Sequence, residues 1–121
     1  MDRQTLHQMN LESVFGVDPW DEEDRFLKDR AYRKRLFSKE CREICGHVAD
    51  VCDREEYDGS CIYDEYPDPI AVKRLVGKAC GMCGPAGDTD MCRDMVTALM
   101  YDEICYRRKR RRDFKKRLYP R

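Results

Sequence analysis

Cys41-Arg42-Glu43-Ile44-Cys45-Gly46-His47-Val48-Ala49-Asp50-Val51-Cys52 is the stretch that decides the fold. With Phe37 ahead of it, the apolar and cysteine positions are Phe37, Cys41, Ile44, Cys45, Val48, Val51 and Cys52. Steps of three and four residues return to one side of a helix at every turn, whereas a strand repeats at every second residue. The stretch is an amphipathic helix with three cysteines on its inward stripe. Gly46 weakens its middle by about 1 kcal/mol relative to alanine.

Working outward, Asp18-Pro19-Trp20-Asp21-Glu22-Glu23 has the chemistry of a helix start. Asp18 caps, Pro19 suits the first helical position, and the acids suit the positive end of the helix dipole. The first helix is expected over about 19–52, with room for a break. Its front half is mostly charged, with Arg or Lys at 25, 28, 30, 33, 34 and 35. Residues 1–17 read as an arm that packs on the body or on a partner.

Downstream, Asp53–Pro67 is a loop rich in acids and tyrosine, with turn chemistry at Tyr57-Asp58-Gly59-Ser60. Asp68-Pro69 starts a second helix, over about 69–80, with Val72, Leu75, Val76 and Ala79 on its inner face. Gly81, Gly84, Pro85 and Gly87 stop it. Asp88-Thr89-Asp90 caps a third helix, over about 90–118, with an inner stripe of Cys92, Met95, Val96, Leu99 and Met100. The expected fold is all-α, small and disulfide-rich. A cysteine-stapled helical domain spans 18–105, between the N-terminal arm and a basic tail at 106–121.

The chain of 121 residues has room for one domain plus tails. It is 41% hydrophobic and 40% charged, so its core is small and staples matter. The net charge of zero hides a segregation. Residues 106–121 carry ten Lys/Arg against one Asp, so this tail holds +9 and the remainder of the chain −9. No secretory signal, transit peptide or run of 18 apolar residues is visible.

The cysteines admit three readings. An even count of eight in a small polar chain favours disulfides, each contributing about 2–4 kcal/mol. The candidates are Cys41, Cys45, Cys52, Cys61, Cys80, Cys83, Cys92 and Cys105, with the pairing open. Cys41 and Cys45, one turn apart, bond more readily to another segment than to each other. The alternative is zinc held by Cys80, Cys83, Cys92 and Cys105 in a four-thiolate site. The third reading is reduced thiols in the core.

The spacing Cys45-x6-Cys52-x8-Cys61, with Gly59 two residues before Cys61, is followed by Val76-Gly77-Lys78-Ala79-Cys80-Gly81-Met82-Cys83. This pattern resembles the ShK-like domain, the cysteine-rich module of sea-anemone potassium-channel toxins and of many nematode secreted proteins. The resemblance covers a third of the chain and implies a secreted module with three disulfides. Val76 stands where the family has a cysteine, so Cys52 would need a new partner. Channel block is not implied, since Lys73 is followed by Arg74 and not by an aromatic residue.

Catalysis is not expected. His7 falls in the arm, and His47 is two residues past Cys45, a spacing that does not bring the two side chains together on a helix. Cys80-Gly81-Met82-Cys83 is a CxxC pair without the βαβ setting of a thioredoxin-like centre. Asp58, Asp64, Glu65 and Asp68 lack EF-hand spacing and read as a solvated face.

The basic run therefore carries the functional expectation. Arg107, Arg108, Lys109, Arg110, Arg111, Arg112, Lys115, Lys116 and Arg117 are candidate anion-binding residues, with Tyr106, Phe114 and Tyr119 as stacking neighbours. The counterpart is nucleic acid, anionic lipid or an acidic protein surface. The leading expectation is a non-enzymatic structural or interaction protein without a cofactor, an accessory subunit of a larger assembly. A disulfide-permissive compartment entered without a secretory signal, foremost the mitochondrial intermembrane space, suits it. A virion, secretion or the nucleus are the alternatives. The competing functions are a secreted ShK-like or hormone-like module and a zinc-containing nucleic-acid binder with a basic arm.

Overall fold

The structure is a computed structural model and describes residues 19–118. Four helices account for most of them: α1 (Pro19–Arg35), α2 (Lys39–Arg54), α3 (Pro69–Met82) and α4 (Asp90–Leu118). Short 3-10 turns lie at Cys61–Tyr63 and Gly84–Asp88, and there is no strand among the described residues. The chain is all-α. The expected arm at 1–17 and the expected cap at Asp18 lie outside the described residues.

The expected first helix is two. α1 ends with Arg33, Lys34 and Arg35 in its last turn, where cations suit the dipole. Ser38 then takes an extended conformation, and its hydroxyl accepts from the Cys41 backbone N–H at 3.1 Å, capping α2. The contacts divide the chain at this junction, with Leu36 closing one unit and Phe37 opening the next. Within α1, the exposed pairs Lys28–Asp24 (2.9 Å) and Arg33–Asp29 (3.2 Å) stand one turn apart. Such solvated pairs add a few tenths of a kcal/mol each.

In the second unit α2, α3 and α4 pack on one another. The α2 stripe faces inward as expected: Val48, Val51 and Cys52 are buried, and Phe37, Cys41, Ile44 and Cys45 are half-buried. Val72, Leu75, Val76 and Ala79 of α3 are all buried, and Cys80 joins them. Asp68 caps α3 by accepting from the Ile70 N–H at 3.2 Å, with Pro69 opening the helix. Thr89 caps α4 through the Cys92 N–H at 3.2 Å.

The α4 stripe departs from expectation. Met95 is exposed, while Val96, Met100, Glu103, Ile104 and Arg107 are buried. The inward row thus continues past the apolar residues into the basic run. The segment between α2 and α3 also contributes to the core. Gly59 turns with φ 84°, Ser60 caps the following 3-10 turn, and Ile62 is completely buried between the helices. At the other end, Gly87 comes so close to α3 that a Cβ on it would sit 2.0 Å from the Cys80 carbonyl oxygen.

Candidate functional site

The basic run is the second half of α4, and the body answers much of its charge. Arg107 is 5% exposed. Its Nε donates to Glu103 Oε2 at 2.8 Å, and its Nη2 donates to the Ala49 carbonyl at 3.3 Å. Its Nη1 lies 2.7 Å from Asp53 Oδ1 and 3.5 Å from Glu56 Oε1. Burial alone lowers the pKa of a guanidinium, but the hydrogen bond to Glu103 and the ion pair with Asp53 outweigh it and hold the proton more firmly than usual.

Three further arginines reach the segment after α2. Arg108 Nη1 donates to the Asp64 and Glu65 carbonyls at 2.7 and 2.8 Å. Arg110 pairs with Glu56 at 2.6 Å and stands over the Tyr106 ring, 5.3 Å from its centre. Arg111 pairs with Asp58 at 2.7 Å and lies 4.0 Å from the centre of the Tyr63 ring. Within α4, Lys109 and Asp113 pair at 2.5 Å.

The structure places the members of the expected anion-binding set in different surroundings. Arg107 belongs to the core and is buried. Arg110 and Arg111 already hold carboxylates. Arg108 bonds neutral carbonyls, so no acid cancels its charge there. Arg112, Lys115 and Lys116 are exposed, share one side of α4 at helical spacing, and have no ion-pair partner among the described residues. The acidic residues read as a solvated face are all exposed; Asp58 also pairs with Arg111, and the Asp64 and Glu65 carbonyls accept from Arg108. Arg107 as a buried cation was missed. Its only sequence signal is its place in the row Met100, Ile104, Arg107 on α4.

Beside this helix end lies an open cleft of about 410 Å³. Its walls include Tyr57, Asp58 and Tyr63 from the body and Arg111, Phe114 and Leu118 from α4. Phe114 and Leu118 are about half exposed, at 54% and 55%.

All eight cysteines carry free thiols, so the expected disulfide frame is not closed in this structure. The fold does gather some of them. Cys80, Cys83 and Cys92 all pack at the core where α3 ends and α4 begins, and the Cys83 thiol donates to the Ala79 carbonyl oxygen at 3.3 Å. Burial raises the pKa of the Cys83 and Cys80 thiols, and the neighbouring Cys92 adds to both shifts. Cys52 is completely buried with its sulfur 3.6 Å from the Met100 thioether, and loss of solvation pushes its pKa up to about 12. Cys61 packs half-buried against the core, and burial raises its pKa too. Cys105 is exposed, 3.8 Å from Arg108 Nη2.

The four-thiolate alternative does not assemble. Cys92 and Cys105 lie on one continuous helix, where thirteen residues span about 20 Å. A tetrahedral ion needs all four sulfurs at about 2.3 Å. Among the described residues, no group of three or more His, Cys, Asp or Glu side chains is arranged to hold a metal ion. His47 is half-buried on α2. No described helix is long and apolar enough to cross a membrane. No family model, curated protein or solved structure matches this chain.

Proposed function

We propose that this chain is a non-enzymatic interaction protein, an accessory subunit that docks an acidic partner protein through the second half of α4. One observation carries the reading. The body pairs Arg107, Arg110 and Arg111 with carboxylates, and the helix leaves Arg112, Lys115 and Lys116 exposed together on its outer side. A basic run that is only solvated needs no such anchoring, whereas a docking element gains from being held before it binds. Electrostatic docking of this kind is salt-sensitive and raises the association rate.

The proposal extends to the disulfides that would hold the subunit. The first bridge is Cys83–Cys92, because Cys92 at the start of α4 lies near enough to disfavour ionisation of the Cys83 thiol at the end of α3. Exchange with glutathione disulfide balances it: two thiols lose two protons and two electrons, one S–S bond forms, and two glutathione thiols are released. A thiol-oxidising compartment such as the mitochondrial intermembrane space suits this chemistry.

The test is size-exclusion of the protein from its native source at physiological salt. The chain is expected in an assembly well above its own 14.4 kDa. Arg112→Glu with Lys115→Glu and Lys116→Glu should return it to the monomer position with an unchanged urea midpoint. Elution of the unmodified chain as a monomer, or loss of the assembly on nuclease treatment, would overturn the reading.

A further inference from the structure

The outer side of α4 carries a row of its own. Arg108, Arg112 and Lys116 follow one another at four-residue steps, so they stand on one side of the helix. Cys105, three residues before Arg108, is exposed at the foot of the same row. The buried Val96, Met100, Ile104 and Arg107 occupy the side that faces the body, and Phe114 and Leu118 continue that other side. From Arg108 to Lys116 the outer row rises about 12 Å. Lys115 stands at its edge, where it also lines the cleft.

Within this row the charges are not cancelled. Arg108 Nη1 bonds the neutral carbonyls of Asp64 and Glu65 at 2.7 and 2.8 Å. Arg112 and Lys116 are exposed and have no ion-pair partner among the described residues. Arg108 is therefore a cation held in place by the body before any partner arrives, which lowers the ordering cost of binding.

The surroundings of the row select its counterpart. Along one edge Lys109 is already paired with Asp113. Beside Arg108 the acidic residues Asp64 and Glu65 are exposed. A polyphosphate chain or a lipid surface, negative across its whole breadth, would meet these acids as well as the cations. A single acidic stretch of polypeptide can follow the narrow row without touching them.

We propose that Arg108, Arg112 and Lys116 form one track for an acidic segment of the partner protein, which covers Cys105 at its foot. The contact thus begins on the body at Arg108 and not at the projecting end of the helix. This rests on the reading of α4 as a docking element and names the side of the helix and the kind of segment it takes.

The test uses the assembly isolated from the native source. A brief pulse of iodoacetamide should label Cys105 at least about tenfold more slowly in the assembly than in chain released by about 1 M salt, where charge pairs are screened. A carbodiimide, which joins an amine to a carboxylate in contact with it, should couple Lys116 to Asp or Glu of the partner protein. Arg108→Gln should release the partner at lower salt than the native chain, and Arg108→Lys, which keeps the charge, should not. Both variants should retain the urea midpoint, since either side chain can still donate to the 64–65 carbonyls.

Equal labelling of Cys105 in the assembly and in the free chain overturns the proposal. So does release of Arg108→Gln at the same salt as the native chain. If the assembly then still depends on Arg112, Lys115 and Lys116, the docking function stands and its contact is confined to the projecting end. Coupling of Lys116 to a second copy of this chain, or release by nuclease, overturns the acidic partner. Absence of any assembly sinks the docking reading itself and the track with it.

Discussion

Arg107 is a full positive charge on a helix face whose previous members are Ile104 and Met100. It is tolerated because Glu103 and Asp53 supply two negative charges at 2.8 and 2.7 Å. Glu103 is itself only 5% exposed, so each group depends on the other. Arg107→Ala leaves that carboxylate buried without its main partner and is expected to cost about 3–5 kcal/mol. Arg107→Met combined with Glu103→Leu removes both charges and should recover most of the loss, as urea midpoints of the two single variants and the pair will show. Cys52, in the same part of the core, makes stability sensitive to high pH. Its ordinary pKa of 9.0 is raised to about 12, mainly by burial. The folded state therefore holds the proton more tightly than the unfolded chain. That contribution is complete below pH 9.0 and is lost as pH rises toward 12. The stability of the native chain minus that of Cys52→Ala should fall across this window, with a slope approaching about 1.4 kcal/mol per pH unit. A constant difference across that window would refute the assignment.

At the scale of elements, glycines divide by what surrounds them. Gly46 lies exposed within α2, and a Cβ there would meet nothing within 4 Å. Gly46→Ala should stabilise by about 0.5–1 kcal/mol. Gly87→Ala drives a Cβ to 2.0 Å from the Cys80 carbonyl and forces the 3-10 turn away from α3. A loss of about 1–3 kcal/mol is expected from thermal or urea unfolding. The two results together test whether Gly87 is a spacer between elements or only a helix stop. α3 and α4 were legible almost to the residue, because Asp68-Pro69 and Thr89 announce their starts and the apolar steps are regular. The break at Ser38 was not, since the charged front half of the expected helix has no stripe whose phase could slip. Ile62 was also hidden. One apolar residue in a turn has no periodicity, and its burial is decided by α3 and α4, which the turn itself does not encode.

For the molecule as a whole, charge segregation was legible and its consequence was not. The acids at 53–58 and the bases at 107–111 stand out separately in composition. Their pairing, across separations of 53 and 54 residues, is a product of how α2 and α4 pack. The basic run is therefore two things in sequence: up to Arg111 it is part of the body, and beyond Asp113 it is a projecting surface. Truncation separates them. Ending the chain after Tyr106 removes Arg107 and breaks its buried pair with Glu103, for a loss of about 3–5 kcal/mol. That is a large part of the 5–15 kcal/mol typical of a whole domain. Ending it after Asp113 keeps Arg107, Arg108, Arg110, Arg111 and the Lys109–Asp113 pair, and should change stability by no more than about 1 kcal/mol. The same shorter truncation removes Lys115 and Lys116, so it should weaken the salt-sensitive docking in a chain that still folds. Urea unfolding followed by circular dichroism on both truncations, with size-exclusion on the second, measures the boundary directly. Equal loss of stability in the two would mean that the body extends to the end of α4, leaving no projecting surface to dock.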